Sequence, residues 1–394
     1  NVKRIKGDFM LQTYSKDHQL DELFQSICEE LQISKSQYDQ AETSYNAVAN
    51  WLSEDEERFP DIDIDIYPQG SLKIGTTVHP ILNQEFDLDF VCELNLDWKK
   101  YDNPVEVLDL IEERLLEHDI YAPMVERKNR CIRLNYKRNF HMDILPACPI
   151  KEDSNGCVKV PDRKLADWKD SNPKGYANWF EETAKDYDVS FNNQILMEKS
   201  AEIEKMPGVE PIQIKPPLKR AVQLMKRHRD IYFEENPKKA PISIVLTTLA
   251  GEFYGNQSSV NDAIEGILDG ILNAAQSGKI TVYNPQNKLE ILSERWNEKP
   301  ELYDSFLLFI RDFREKWTEI SDAKEEGFIE VASLLKEMFG EEPINKGMNK
   351  QAKVNEAYRQ VGKLGITAAG VMSFTPVVAA EEITTVKRNT FYGG

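Results

Sequence analysis

The chain has 394 residues, with 49 Lys and Arg against 67 Asp and Glu, for a formal net charge of −18 at neutral pH. A grip on long nucleic acid normally needs a basic stripe that displaces counterions, and no stripe of that length is present. No apolar run reaches the roughly 20 residues of a membrane span and no charged-then-apolar leader opens the chain, so neither a membrane nor an exported protein is expected.

Leu20, Leu23, Phe24, Ile27 and Leu31 recur at helical spacing, as do Tyr45, Val48, Ala49, Trp51 and Leu52, so residues 17–58 read as a long helix, broken at most once and ended by Pro60. Ile62, Ile64 and Ile66 then alternate with Asp61, Asp63 and Asp65, the period of a strand with one wet face. Residues 71–77 open a short helix, 85–95 form a strand and 104–118 a helix. Segments 131–136 and 140–145 flank the turn Lys137-Arg138-Asn139 as a hairpin. From Pro146 to about Gly175 the chain is polar and rich in Pro and Gly, and reads as loop. Helices are expected at 175–187, 216–233, 240–255, 258–277, 300–316 and 322–340. Beyond Pro343 no clear periodicity remains, and a flexible tail ending in Gly393-Gly394 is expected.

Five cysteines (28, 92, 131, 148 and 157) show no CxxC pair and five histidines no partner spacing. Neither a zinc site nor a disulfide framework is expected, and a reducing cytoplasm is the expected compartment.

The chemistry concentrates in Gly70-Ser71-Leu72-Lys73-Ile74-Gly75-Thr76-Thr77 and Phe86-Asp87-Leu88-Asp89-Phe90. On a strand, positions i and i+2 share a face, so Asp87 and Asp89 converge. Two like charges side by side cost energy unless a cation lies between them, and hard cations take carboxylate and phosphate oxygens. A third acid, Asp143, sits in the strand-like run His141–Leu145. Three carboxylates suit two Mg²⁺ ions, with Mn²⁺ as a substitute, and the Gly70-Ser71 turn beside them suits a phosphate. A small nucleotide fits this acidic chain better than a polynucleotide. Asp61, Asp63 and Asp65 also share a face, but they precede the turn and read as a solvated strand edge.

Pro68-Gln69-Gly70-Ser71, Gly75-Thr76, Asp87-x-Asp89 and Asp143 together resemble the active site of the DNA polymerase β-type nucleotidyltransferase superfamily. With Ala221–Asp230 and Pro241–Leu249, the set resembles the bacterial CD-NTases, relatives of cyclic GMP-AMP synthase and oligoadenylate synthase that make antiphage second messengers. The resemblance covers roughly residues 15–320. It implies an α+β fold: a core of small mixed sheet and helices, plus an α-helical second lobe. The implied organisation is a helical spine at 1–58, the nucleotidyltransferase core at 59–165, a helical lobe at 166–342 and the tail at 343–394. It further implies that Asp87, Asp89 and Asp143 ligate metal. Gln69, Gly70, Ser71, Lys226 and Ser243 would bind the nucleotide. A base-stacking aromatic does not carry over, because Ile244 follows Ser243; Tyr254 is the nearest substitute. The implied product is a cyclic oligonucleotide, a trinucleotide containing adenine, made from ATP and GTP. The implied partners are a HORMA-type regulator or an E1/E2-like enzyme that conjugates Gly394. The rival readings are a linear nucleotidyltransferase acting on an RNA, protein or small-molecule acceptor, and a protein-interaction role through the tail.

Overall fold

The computed structural model describes residues 16–54, 62–81, 85–137, 139–153, 155–185, 203–326, 328–360, 365–367, 372–373 and 383–385. Asp61, Arg138 and Phe391 to Gly394 therefore lie outside the described residues. In chain order the principal elements are α1 (Lys16–Glu30), α2 (Lys35–Ser53), β1 (Ile64–Pro68), α3 (Gly70–Lys73), β2 (Phe86–Leu94) and α4 (Val105–Leu116). β3 (Val125–Arg127), β4 (Ile132–Tyr136), β5 (Phe140–Pro149), β6 (Val158–Asp162), β7 (Asp167–Ser171) and α5 (Pro173–Ala184) follow. Then come α6 (Pro217–Tyr232), α7 (Ser243–Phe253), α8 (Val260–Ser277), β8 (Tyr283–Asn284), β9 (Asn287–Ile291) and α9 (Arg295–Glu298). The last are α10 (Pro300–Glu326), α11 (Phe328–Phe339), α12 (Glu341–Gln360) and the short strands β10 (Gly365–Thr367), β11 (Met372–Ser373) and β12 (Ile383–Thr385).

Residues 31–318 form one compact unit. Its centre is a seven-stranded sheet in the order β1-β2-β5-β4-β3, extended from β5 by β6 and β7. β2 and β5 run parallel; the other named pairs are antiparallel. One face carries Ile64 and Ile66, Phe86, Leu88, Phe90, Cys92 and Leu94, and Phe140, Met142 and Ile144, all buried in one core with α2 and α4. Tyr45 of α2 meets Phe90 edge to face at 5.3 Å. Each such side chain contributes roughly 1.5–3 kcal/mol by leaving water, which holds the strands in one register. The opposite face carries only a small apolar patch, Tyr67, Val91, Ala147, Val158 and Val160 with Leu145 beside it. That poverty leaves room on this face for polar chemistry.

Three sequence expectations need correction here. The 146–175 segment is sheet rather than loop: β5 runs through Pro146 to Pro149, and β6 and β7 form a hairpin on its far end. Pro146 is tolerated because β4 stops at its pairing with Ile144 and β6 begins only at Cys148, so that edge of β5 asks nothing of Pro146. The turn at 163–166, where the 165/166 boundary falls, lies between β6 and β7. The helix expected at 71–77 is shorter, Gly70–Lys73, and the one expected to end at 316 continues to Glu326. The long N-terminal helix breaks once, where Ser34 caps α2: its Oγ accepts from Gln37 N, and its own N–H donates to Gln37 Oε1.

Residues 1–30 and 319–394 make the second unit. Here the expected tail begins instead with a helix. Gly340, at φ +90°, closes α11, and Pro343 sits in the first turn of α12, where a missing N–H costs nothing. α12 packs along α1, with Lys350 paired to Glu29 and Gly347 against Ile27.

Candidate active site

Strand register assembles the acids. β2 and β5 align Asp89 with Asp143 and Asp87 with His141, so three carboxylates fall on the face opposite the main core. Asp89 is the crowded member: burial, then Asp87 and Asp143, push its carboxyl up to about 8. Asp87 is more open, with its side chain 57% exposed. β4 adds a residue that the motif does not contain. Arg133 stands opposite Asp143 in the antiparallel register. Its Nε donates to Asp143 Oδ1 and its Nη2 to Oδ2, both at 2.7 Å, and Nη2 also reaches Asp87 Oδ1 at 3.4 Å.

The turn beside the acids is built for close approach. Gln69 N donates to the Asp89 carbonyl at 2.9 Å, and Gly70 follows at φ +64°. A Cβ on Gly70 would lie 2.4 Å from Asp89 Oδ2, so only glycine brings this backbone against that carboxylate. Ser71 lies inside the helical turn rather than capping it, its Oγ 3.3 Å from Thr77 Oγ1.

Helix α6 grips the rest of the loop through main-chain oxygens. Gln223 donates to the Thr77 carbonyl and Lys226 to the Thr76 carbonyl and hydroxyl, while Lys215, just before the helix, donates to the Gly75 carbonyl. Lys226 is buried, and desolvation, aided by Arg229, lowers its amine to about 7. Arg229 donates to Ser243 Oγ at 2.7 Å and pairs with Asp230, so the basic run on α6 points inward.

These parts line one cleft of about 670 Å³, which includes Gln69, Gly70, Ser71, Asp87, Asp89, Lys226 and Ser243. Asp143 stands behind it under Arg133, 16% exposed. Tyr254 does not line the cleft, and its hydroxyl donates to the Gln257 carbonyl; Tyr176 and Ile244 do line it. The far wall includes Asn284, Glu290 and Glu294, from a hairpin and its exit that the sequence pattern did not reveal. Arg133, by contrast, was within reach: a three-residue turn at 137–139 pairs Tyr136 with Phe140, and counting back pairs Arg133 with Asp143.

Among the described residues, no three acidic, His or Cys side chains close on a single ion. Arg133 on both oxygens of Asp143 accounts for this locally. The charges nevertheless suit a divalent cation: with Asp89 protonated, Asp87 and Asp143 against one guanidinium still leave one negative charge, and a cation beside Asp89 would let that carboxyl ionise as well.

The sequence matches the family model described as Second Messenger Oligonucleotide or Dinucleotide Synthetase domain over residues 19–183. A protein of Roseivirga ehrenbergii named c-di-GMP synthase is 38% identical over 388 residues, which is 98% of this chain and 100% of that protein. The Bradyrhizobium diazoefficiens CD-NTase CdnG, solved in complex with GTP, has a TM-score of 0.68 at 21% identity, covering 85% of this chain and 99% of that one. The E. coli MS115-1 CdnC:HORMA-deltaN complex gives 0.56 at 13% identity, over 81% and 96%. At these identities the two structures share the fold, whereas the full-length relative shares the family. With Gly70, Ser71, Asp87, Asp89 and Lys226 of α6 gathered in one cleft, the chain belongs to the bacterial CD-NTases and is a nucleotidyltransferase.

Proposed function

We propose that the protein joins two molecules of GTP into a cyclic dinucleotide. The observation that carries this reading is the single cleft in which Gly70-Ser71, Asp87, Asp89, Lys226 and Ser243 meet. A ribose hydroxyl of one nucleotide attacks the α-phosphorus of the other, pyrophosphate leaves, and a second round closes the ring. Ser71 and the backbone of the Gly70 turn hold the triphosphate from one side; Lys226 and Ser243 hold it from the other. Residues 59–165 thus supply the acids and the turn, and residues 166–342 the basic helix. Asp87, Asp89 and Asp143 would hold two Mg²⁺, or Mn²⁺, which would supply charge to neutralise the phosphates and ease ionisation of the attacking hydroxyl. The protein's share is alignment and exclusion of water.

Guanine and a two-membered ring are favoured over the adenine-containing trinucleotide by the full-length relative named c-di-GMP synthase. An antiphage role, a cytoplasmic location and a HORMA-type or E1/E2-like partner belong to the same proposal. The CdnC structure, a complex with a HORMA protein on the same fold, supports the first kind of partner. Among the described residues no helix is long and apolar enough to cross a membrane. Gly394, the expected conjugation point, lies outside the described residues, and its deletion should abolish any adduct with a co-encoded conjugating enzyme. The deciding experiment is mass spectrometry of products from the four ribonucleoside triphosphates with Mg²⁺ or Mn²⁺. A cyclic product from GTP alone is expected; a linear product, or none without an added acceptor, overturns the reading.

A further inference from the structure

Arg133 lies at the centre of the acid cluster, yet the nucleotidyl-transfer scheme above gives it no task. Sheet register fixes its place, since Asp143 is the cross-strand neighbour of both Arg133 and Asp89. The guanidinium occupies both oxygens of Asp143 in a parallel fork and spans toward Asp87, standing where a cation shared by those two acids would stand. The pair is sheltered, with Arg133 20% and Asp143 16% exposed, so it is not a screened surface contact. We propose that Arg133 is an internal counter-cation that competes with divalent metal for Asp143, so that the site loads metal tightly only when a nucleoside triphosphate arrives with it.

The inference rests on the reading of Asp87, Asp89 and Asp143 as metal ligands. A divalent ion drawn to Asp143 meets a fixed positive charge on the same two oxygens, and displacing that charge costs the fork. Asp87 and Asp89 alone offer too few oxygens to offset this cost, because Mg²⁺ prefers six ligands and parts with water reluctantly. A triphosphate adds both oxygens and negative charge, and with it the exchange becomes favourable.

The test is Mn²⁺ binding to the full chain, read by electron paramagnetic resonance of the free ion, with and without a non-hydrolysable GTP analogue. Without nucleotide, Arg133→Gln should bind Mn²⁺ about tenfold more tightly than wild type, a shift of the size that one adjacent charge produces. With the analogue present the difference should shrink to about twofold, since the guanidinium that leaves Asp143 then has phosphate oxygens to pair with. Metal-free Arg133→Gln should also melt below wild type and regain the difference on adding Mn²⁺. Arg133→Lys, which keeps the charge but cannot take both oxygens, should fall between the two, and it carries the test if the glutamine variant fails to fold. Unchanged or weaker Mn²⁺ binding in the folded Arg133 variants, with Asp87→Asn/Asp89→Asn losing it, would overturn the competition and leave the metal site standing. Wild-type Mn²⁺ binding by Asp87→Asn/Asp89→Asn would remove the metal site and the inference together.

Discussion

Two acidic clusters share one face of the same sheet, and they have opposite characters. Asp65 of β1 stands opposite Glu93 of β2, while Asp87 and Asp89 lie nearer the start of β2 on the same side, with the patch around Tyr67 and Val91 between. By sequence the two look alike, acids alternating with large apolar residues. At Asp65 the charges are closed off: Lys174 pairs with both Asp65 and Glu93 and lies over the Tyr67 ring, whose hydroxyl donates to Glu93. At Asp89 a third carboxylate arrives from β5, one guanidinium bonds Asp143 and reaches Asp87, and a glycine turn presses backbone against the cluster. In the first arrangement, finished in this sense, Lys174 and the Tyr67 hydroxyl take up both carboxylates. The second, unfinished, opens onto the cleft. An alternating acid pattern therefore says little until the neighbouring strand is known.

The largest expected effect lies at the unfinished cluster. Asp87→Asn with Asp89→Asn should lower product formation by several orders of magnitude, since charge stabilisation of a transferring phosphoryl group is worth roughly several kcal/mol. Turnover near wild type in the folded double variant would erase the distinction between the clusters.

Gly70→Ala comes next. It forces a Cβ toward Asp89 and strains a left-handed backbone, and misplacement near 1 Å at a reacting centre costs about 100-fold in rate. A variant of wild-type activity would show that the turn need not touch the acids.

Lys226 gives a pH signature. Burial holds its amine near 7, below the usual lysine value, so above pH 7 the empty cleft carries it neutral. A triphosphate favours the charged form, so nucleotide binding at pH 8 should take up about one proton, and affinity should fall as pH rises from 7 to 9. Calorimetry in two buffers of different ionisation enthalpy measures this; no uptake at pH 8 would place the triphosphate away from Lys226.

The smallest effect belongs to the finished cluster. Asp63→Asn with Asp65→Asn should leave turnover within about twofold and cost at most about 1 kcal/mol of stability, because the Asp65–Lys174 pair is half exposed. A collapse of activity would place the catalytic acids on β1 instead of β2. Asp61, their third member by pattern, lies outside the described residues.

What could be read from the sequence was what depends on neighbours a few residues away. The i, i+2 spacing of Asp87 and Asp89, the Gly70-Ser71 turn and the apolar faces of α2, α4 and α8 are local facts, and they describe these elements well. The polar, proline-bearing β6–β7 hairpin was not legible because β5 supports it from 148 onward. α12 has few apolar residues and a proline near its start, and its order depends on α1, more than 300 positions away. The far wall of the cleft escaped for the same reason, since two short hairpin strands carry no period long enough to detect.

The short turn that joins Tyr136 to Phe140 acquires a meaning beyond linking two strands. β4 reaches β5 through it, and side chains on a strand alternate sides with each residue. One residue more or fewer in that turn, where it slips the register of β4 against β5 by one instead of resizing the turn, would carry Arg133 to the apolar face and set a neighbour of the other type beside Asp143. The turn is thus a ruler for the charge of the cleft. Among related chains, a length change there would mark a protein whose acids are balanced in another way.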